Sequence, residues 1–195
     1  MAAEEDLIIA GLTKVKALFG NQIQATFGKE VVIPTKPFPR IKLQDLYQEL
    51  NKRYNYTIPT ADVGDLNAEA EKLAYQYAMD EYHSEFIFIT DYSASKRAFY
   101  HMRKDGIPQG YDLIWRGSEI TTGAQREHRY DILCSQAQEK GLGKDVEFYL
   151  EFFKYGCPPH GGFAIGVDRL TMLLLGIPSV KETQFIFRGP NRLFP

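Results

Sequence analysis

The stretch that decides the fold is "GGFAIGVDRL", from Gly161 to Leu170, and the apolar run "TMLLLG" follows directly. Its glycine-spaced half is typical of a strand that a ligand or another backbone approaches closely, because few side chains stand in the way. Its second half predicts a helix, whose first turn offers unpaired N–H groups and a positive dipole end. Arg169 adds a permanent charge with a planar fork of donors. The stretch therefore suits an anionic, planar ligand such as a nucleoside triphosphate, or else a tight strand–helix packing with a salt-bridged arginine.

A second polar stretch, "SEITTGAQR", lies earlier in the chain. In a regular strand Glu119 and Thr122 point to opposite faces, and a bulge near Gly117 or Gly123 would bring them together. A carboxylate beside a hydroxyl offers the hard oxygen donors that magnesium with phosphate requires. Arg126 closes the stretch and could hold a carboxylate through two parallel hydrogen bonds. The alternative is an arginine–glutamate network on the surface.

Length and composition narrow the class of protein. The 195 residues favour one domain with a real core, and the formal net charge of −2 gives no general reason to expect nucleic acid. Two cysteines argue against a disulfide framework and for a cytoplasmic protein. The N-terminus has no apolar signal core, and the longest apolar run is far shorter than the ~20 residues that span a bilayer. We therefore expect no membrane partner.

Apolar periodicity and turn residues predict an α+β fold, an antiparallel β-sheet flanked by helices, with those helices on one face. The first helix is expected at 3–19, stopped by Gly20, and a proline-rich connector follows. This division gives an N-terminal helix and connector at 1–36 and a main unit at 37–195. The other predicted helices are 44–54, 65–82 (capped by Asp65 or Asn67), 125–141, 144–156 and 168–176. The predicted strands are 85–90, 97–102, 111–123 and 162–167, with a hairpin loop at 103–110 and a loop at 157–162.

Other polar residues have simpler interpretations. Four basic residues, Lys96, Arg97, Arg103 and Lys104, surround aromatic side chains in "SKRAFYHMRK". Such interleaving can indicate nucleic-acid binding, but we favour a solvated hairpin. His160, in "PPHGG", has no obvious catalytic partner, and we expect it to fix its loop by hydrogen bonding.

The order and spacing of these stretches resemble a known family. The patterns "RGxEIxxGxQRxHxY" and "PPHGGFxxGxxRL" are long, and the matching pieces run from "PFPRI" through "FIFITDYSASKRAFYHM" to the tail "RGPNRLFP", from about Pro37 to Pro195. They resemble the C-terminal half of the catalytic domain of class II aminoacyl-tRNA synthetases, closest to the archaeal and eukaryotic aspartyl type. Asparaginyl-tRNA synthetases and archaeal asparagine synthetases are similar. The resemblance implies a partial class II catalytic fold, with the opening stretch as the family's motif 3.

The resemblance also implies an ATP site. Arg169 and Glu119 would be catalytic, with Arg169 near the γ-phosphate and the adenine and Glu119 holding magnesium and ATP. Gly166, Val167 and Asp168 would line the same site. The family's middle glycine of motif 3 is Ala164 in this sequence, which would make the adenine side slightly tighter.

The amino-acid side follows from the same resemblance. Arg126 would hold the side-chain carboxylate of aspartate, and Tyr100 would lie near the amino-acid pocket. Thr122 stands where the family has a serine that helps to hold magnesium and substrate. The implied reaction is ATP- and magnesium-dependent formation of aspartyl-adenylate for aspartyl-tRNA, in a cytoplasmic homo-oligomer.

Parts of the family's pattern have no counterpart in these residues. Motif 1 with its dimer helix, motif 2 with its arginine for the α-phosphate, and the anticodon-binding barrel are not found in the sequence. We therefore expect the chain alone to be inactive or nearly so in adenylation, because such preorganised donors each contribute about 2.7–4 kcal/mol in the transition state. A synthetase-derived asparagine synthetase and a non-catalytic paralogue that binds nucleotide or a partner protein remain alternatives.

Overall fold

A five-stranded sheet forms the centre of the molecule in a computed structural model that describes residues 1–194. Its strand order is β1-β2-β5-β6-β7, and only the pairing of β1 with β2 is parallel. The strands are β1 (Arg40–Lys42), β2 (Phe86–Thr90), β3 (Arg103–Lys104), β4 (Ile107–Pro108), β5 (Gly110–Trp115), β6 (Ser118–Arg126) and β7 (His160–Ile165). The helices are α1 (Ala2–Phe27), α2 (Leu43–Tyr54), α3 (Ala68–Tyr82), α4 (Tyr130–Glu139), α5 (Glu147–Glu151) and α6 (Val167–Leu175). The predicted α+β class with a mostly antiparallel sheet is confirmed.

Helices cover both faces of this sheet, so the expectation of helices on one face was wrong. Along β2, Phe86 and Phe88 pack with α1 and α6 on what we call the back face. Ile87 and Ile89 alternate with them and pack with α2 and α3 on the front face. A strand that is apolar on both sides must be buried on both sides, and "FIFIT" is such a strand.

The first helix is longer than predicted. It continues through Gly20 to Phe27 and ends at Gly28, whose φ of 65° is the left-handed conformation of a helix C-cap. A single glycine inside a helix costs only ~1 kcal/mol. Burial of Ile8 and Ile23, on either side of Gly20, against the back face outweighs that cost.

The predicted strand at 111–123 is a hairpin of two strands. Arg116 and Gly117 form its two-residue turn, with φ values of 48° and 81°, as a type I′ turn requires. The predicted strand at 97–102 is absent from the described structure apart from a single bridge between His101 and Arg126. Its carbonyls at Phe99 and His101 instead accept hydrogen bonds from the Gln136 side chain on α4. The predicted hairpin loop at 103–110 contains the small β3–β4 hairpin.

Several boundaries differ by a few residues. The helix predicted from 125 begins at Tyr130, because residues 125–126 still pair in β6. The loop predicted at 157–162 gives way to β7 at His160. Asn67 is the cap of α3, since its Oδ1 accepts the Ala70 N–H at 2.9 Å. The helix predicted at 144–156 is α5 between two 3-10 turns. Within residues 1–194, none of the helices has the length and apolar character needed to cross a membrane.

Candidate active site

The part of the front face formed by β5, β6 and β7 carries small side chains. Gly110 pairs with Ala124, which pairs with Gly162 on the other side, and Thr122 pairs with Ala164. Directly paired residues project to the same face, so this face is a nearly flat floor. The glycine-spaced strand of the opening stretch is one third of that floor. A flat floor between polar walls can receive a planar ligand.

A bulge in β6 brings two predicted residues together at the edge of the floor. Ile114 pairs with Glu119, but the preceding Leu113 pairs with Thr121, so one extra residue lies between them on β6. The extra residue changes the alternation of side chains, and Glu119 and Thr122 therefore share the front face. Thr122 Oγ1 donates to Glu119 Oε1 at 2.7 Å. Two oxygen-bearing side chains thus converge on one point.

The first turn of α6 closes the same cleft. The Gly166 N–H donates to the Ile120 carbonyl at 2.8 Å, and the Arg169 guanidinium donates to the Glu119 carbonyl. Asp168 accepts a hydrogen bond from Gln184 Nε2 at 2.9 Å. The resulting cleft has a volume of about 460 Å3. Its lining includes Glu119, Thr122, Ala164, Gly166, Val167, Asp168 and Arg169. The structure therefore gathers all five residues predicted for ATP in one place.

Charge is concentrated beside this cleft. Burial raises the pKa of Glu119, the nearby Asp112 carboxylate raises it further, and the Thr122 hydroxyl and Arg169 act against this. Burial likewise raises the pKa of Glu71 on α3. A carboxylate that is costly to ionise in the free protein is suited to gain a cation, and of these two only Glu119 lines the cleft.

Arg97 and Asp112 form a buried ion pair that the sequence analysis missed. The guanidinium binds both carboxylate oxygens, with Arg97 Nη1 at 3.0 Å from Asp112 Oδ1, and its centre lies 3.5 Å from the Tyr92 ring centroid. The two side chains are 10% and 4% exposed, so the expected solvated position of Arg97 was wrong. The available signal was Asp112 itself, an acidic residue leading the apolar run "LIW".

Arg126 lies at the other end of the floor. On one side Arg126 pairs with His160 of β7, and on the other it forms the isolated bridge with His101. Its guanidinium lies 4.8 Å from the Tyr100 ring centroid, so two of the three residues predicted to bind the substrate are in contact. Within residues 1–194 no carboxylate pairs with Arg126, whereas Arg97 and Arg129 are both paired. Arg126 therefore presents a free fork of donors.

Two histidines border this end of the floor. The ring of His101 lies across Gly110, where an added Cβ would come within 2.6 Å of His101 Nδ1. Burial, then Arg97 and Arg126, lower the pKa of His101 to about 4, so the ring is neutral at neutral pH. Sequence reasoning gave His101 no role. His160 Nδ1 lies 3.0 Å from the Pro158 carbonyl, which agrees with the predicted loop-fixing role.

Comparison with known proteins gives the family. The model of the family described as tRNA synthetases class II (D, K and N) matches residues 1–187. The chain belongs to this family, and its sheet with flanking helices is the class II catalytic fold. The aspartyl tRNA synthetase from Entamoeba histolytica superposes with a TM-score of 0.88 at 28% identity, covering 100% of this chain and 41% of that one. The asparaginyl-tRNA synthetase from Pyrococcus horikoshii superposes with a TM-score of 0.84 at 27% identity, covering 100% and 46%.

Curated relatives at higher identity include aspartate–tRNA ligases. The Aspartate–tRNA(Asp/Asn) ligase of Aeropyrum pernix is 39% identical over 181 residues, which covers 90% of this chain and 40% of the relative. That of Thermus thermophilus is 38% identical over 197 residues, which covers 100% of this chain and 46% of the relative. The chain thus spans less than half the length of these relatives.

Proposed function

We propose that this chain carries the part of an active site that binds ATP and aspartate, for ATP-dependent formation of aspartyl-adenylate and then aspartyl-tRNA. The observation that carries the proposal is the free guanidinium of Arg126, on the same face as the Glu119–Thr122 pair. An unpaired arginine beside a neutral histidine attracts a carboxylate. The aspartate–tRNA ligase relatives support aspartate as the amino acid.

The residues at the bulge fit a magnesium ion. Glu119 and Thr122 offer oxygens 2.7 Å apart, and buried Asp112 lies opposite Thr122 on β5. These are hard donors of the type that magnesium prefers. Glu119 and Thr122 would hold the ion. When bound, it would neutralise part of the triphosphate charge.

The chain's own groups would position the two reacting molecules. Arg169 would leave the Glu119 carbonyl and place its charge beside the triphosphate, while the floor from Gly110 to Ala164 would receive the planar parts of the ligand. Arg126, stacked on Tyr100, would orient the aspartate side chain. Holding two reactants in one geometry lowers the barrier by removing translational and rotational freedom in advance.

The finer parts of this proposal concern the whole enzyme. Because the chain spans 40–46% of the relatives' length, we propose that it binds ligands but does not complete adenylation alone. We propose cytoplasmic function and assembly as a homo-oligomer. Support for assembly comes from β7, which has a neighbour on only one side among the described strands, and such edges recruit other chains. We also propose that the chain divides into an N-terminal helix and connector at 1–36 and a main unit at 37–195.

The test is binding of two non-hydrolysable analogues, aspartyl-adenylate and asparaginyl-adenylate, measured by calorimetry. We expect the wild type to prefer the aspartyl analogue. Arg126→Leu should remove that preference by weakening the aspartyl analogue at least tenfold. Arg169→Ala should weaken both analogues to a similar extent, because the adenine that Arg169 is expected to contact is common to both.

Arg103→Leu is the matched control, since Arg103 is paired with Glu139 at 2.7 Å outside the cleft. It should leave both affinities unchanged. Equal affinity of wild type and Arg126→Leu for the aspartyl analogue would remove Arg126 from substrate recognition. Tighter binding of the asparaginyl analogue by the wild type would favour asparagine as the substrate.

A further inference from the structure

The backbone of the β6 bulge is held by groups from outside β5 and β6. The Gly166 N–H binds the Ile120 carbonyl at 2.8 Å, and Arg169 binds the Glu119 carbonyl. The third contact comes from α3, on the front face, where Glu71 Oε2 accepts the backbone N–H of Glu119 at 3.1 Å. Helices α3 and α6 thus meet on the same residue of the bulge.

Glu71 differs from its neighbour of the same charge on α3. Glu69 is exposed, and its Oε2 lies 3.9 Å from Lys72 Nζ at the helix surface. Glu71 is only partly exposed, and no salt bridge within the described residues engages it. A partly buried carboxylate loses part of its solvation. The hydrogen bond from the Glu119 N–H offsets part of that loss for Glu71. The raised pKa of Glu71, caused first by burial, agrees with this geometry.

The orientation of the Glu119 backbone at the bulge decides where the Glu119 carboxylate points. A bulge lets the strand bend and twist locally, and a rotation of the Glu119 peptide would move its carboxylate away from Thr122. The Glu71 contact fixes the peptide unit that precedes Glu119 through its N–H, while Arg169 contacts the Glu119 carbonyl, which belongs to the next peptide unit. In our proposal Arg169 leaves that carbonyl when an anion competes for it. When Arg169 turns to a triphosphate, Glu71 remains as the side chain that contacts the Glu119 backbone.

We propose that Glu71 is a positioning residue, which holds the Glu119 peptide so that the Glu119 carboxylate and the Thr122 hydroxyl face one divalent cation together. This rests on the proposed function only for the identity of the ligand, Mg2+–ATP. Glu71 acts through its hydrogen bond to the Glu119 N–H and contacts neither ATP nor the cation.

The first measurement is the Mg2+ enhancement of ATP affinity, the ratio of Kd values in EDTA and in Mg2+, by calorimetry on the full chain. We expect Glu71→Leu to reduce this enhancement at least tenfold with ATP binding in EDTA unchanged. Glu71→Gln should stay within threefold of wild type, because its amide oxygen still accepts the hydrogen bond. Glu69→Leu is the matched control and should behave as wild type.

A double variant separates positioning from direct contact. In a Glu119→Ala background, Glu71→Leu should cause no further loss, since Glu71 acts only through Glu119. A further tenfold loss would overturn the proposal in favour of a direct ligand, and equal losses in Glu71→Gln and Glu71→Leu would overturn it in favour of a charge effect.

The second measurement requires no nucleotide. Hydrogen–deuterium exchange of the peptide containing residues 118–122 should be at least tenfold faster in Glu71→Leu than in wild type, and unchanged in Glu71→Gln. Unchanged exchange in Glu71→Leu would show that Glu71 does not hold the bulge. If the wild type binds no ATP, the proposed function fails, and the exchange result alone decides whether Glu71 holds the Glu119 peptide.

Discussion

The two faces of the β5–β6 hairpin have opposite characters although their residues alternate along the same strands. On the back face, Phe86 and Trp115 stack with ring centroids 5.2 Å apart, and α1 covers them. On the front face, glycine and alanine leave space, and the polar groups Glu119 and Arg126 border it. The back face is filled to stabilise the fold, and the front face is left open at some cost in stability.

This difference shows where substitutions should affect folding and where they should affect binding. Aromatic side chains of the back face supply much of the buried area, and removing them leaves cavities. The front face contains buried charges that stay stable only in pairs. Variants of the two faces can therefore be ordered by their expected effect on the free energy of unfolding.

The largest effect is expected on the back face. Trp115 is 1% exposed, stacks on Phe86 and donates to Glu85 Oε2 at 3.1 Å. Trp115→Ala should lower the free energy of unfolding by about 3–5 kcal/mol, measured by urea denaturation. Thr122→Ala on the front face should cost less than about 1 kcal/mol. Similar losses for the two variants would mean that the faces do not differ in packing.

The next effect concerns the buried ion pair of the front face. Arg97→Met leaves the Asp112 carboxylate buried without its partner, which costs about 3–5 kcal/mol for a fully buried pair. Because the Arg97 side chain is 10% exposed, we expect the lower end of that range in urea denaturation. Arg97→Met with Asp112→Asn should recover part of the loss. A single variant as stable as wild type would contradict a structural role for this pair.

A smaller effect depends on pH. The pKa of His101 is lowered to about 4 in the folded chain, below its ordinary value of about 6.5. The unfolded chain therefore binds a proton first, and His101 should cost roughly 2 kcal/mol of stability between pH 7 and pH 5. His101→Asn should lack this part of the acid destabilisation, while a His83→Asn control should keep it. Parallel stability–pH curves for wild type and His101→Asn would contradict a buried, neutral His101.

The smallest expected effect is a gain in stability when Glu119 is replaced by glutamine. Because burial raises the folded-state pKa of Glu119, the ionisation of Glu119 lowers the stability of the fold as the pH rises above the unfolded pKa and through the folded-state pKa. Glu119→Gln should raise the melting temperature by no more than about 4 °C at pH 7, the equivalent of ~1 kcal/mol. The gain should shrink as the pH falls through the ordinary pKa of a glutamate, because both states then become protonated. A loss of stability at pH 7 would mean that Glu119 stabilises the free protein.

Local patterns in the sequence predicted the elements better than the contacts between them. The meeting of Glu119 and Thr122 through a bulge was anticipated, but the bulge lies between Gly117 and Gly123 and contains neither glycine. Its place is set by the pairing with β5, which no local pattern reports. The role of Glu71 depends on how α3 docks, 48 residues away in sequence from Glu119.

The environment of Arg97 shows the same limit. Basic residues next to a turn are usually solvated, so the sequence favoured an exposed position. Its partner Asp112 lies 15 residues further on, and only the path of the chain through Tyr92 and β5 brings them together. The end of α1 was missed for a related reason, because tertiary packing outweighs a local glycine.

The single extra residue in β6 has a consequence for reading related sequences. In an unbroken strand, two side chains three positions apart point to opposite faces, so the contact between Glu119 and Thr122 depends on the extra residue that the pairing of β6 with β5 leaves between them. A relative that kept these residues but paired the segment without a bulge would point the two side chains to opposite faces. The pairing of this segment with the neighbouring strand is therefore a stricter test of the proposed cation site than the presence of the glutamate.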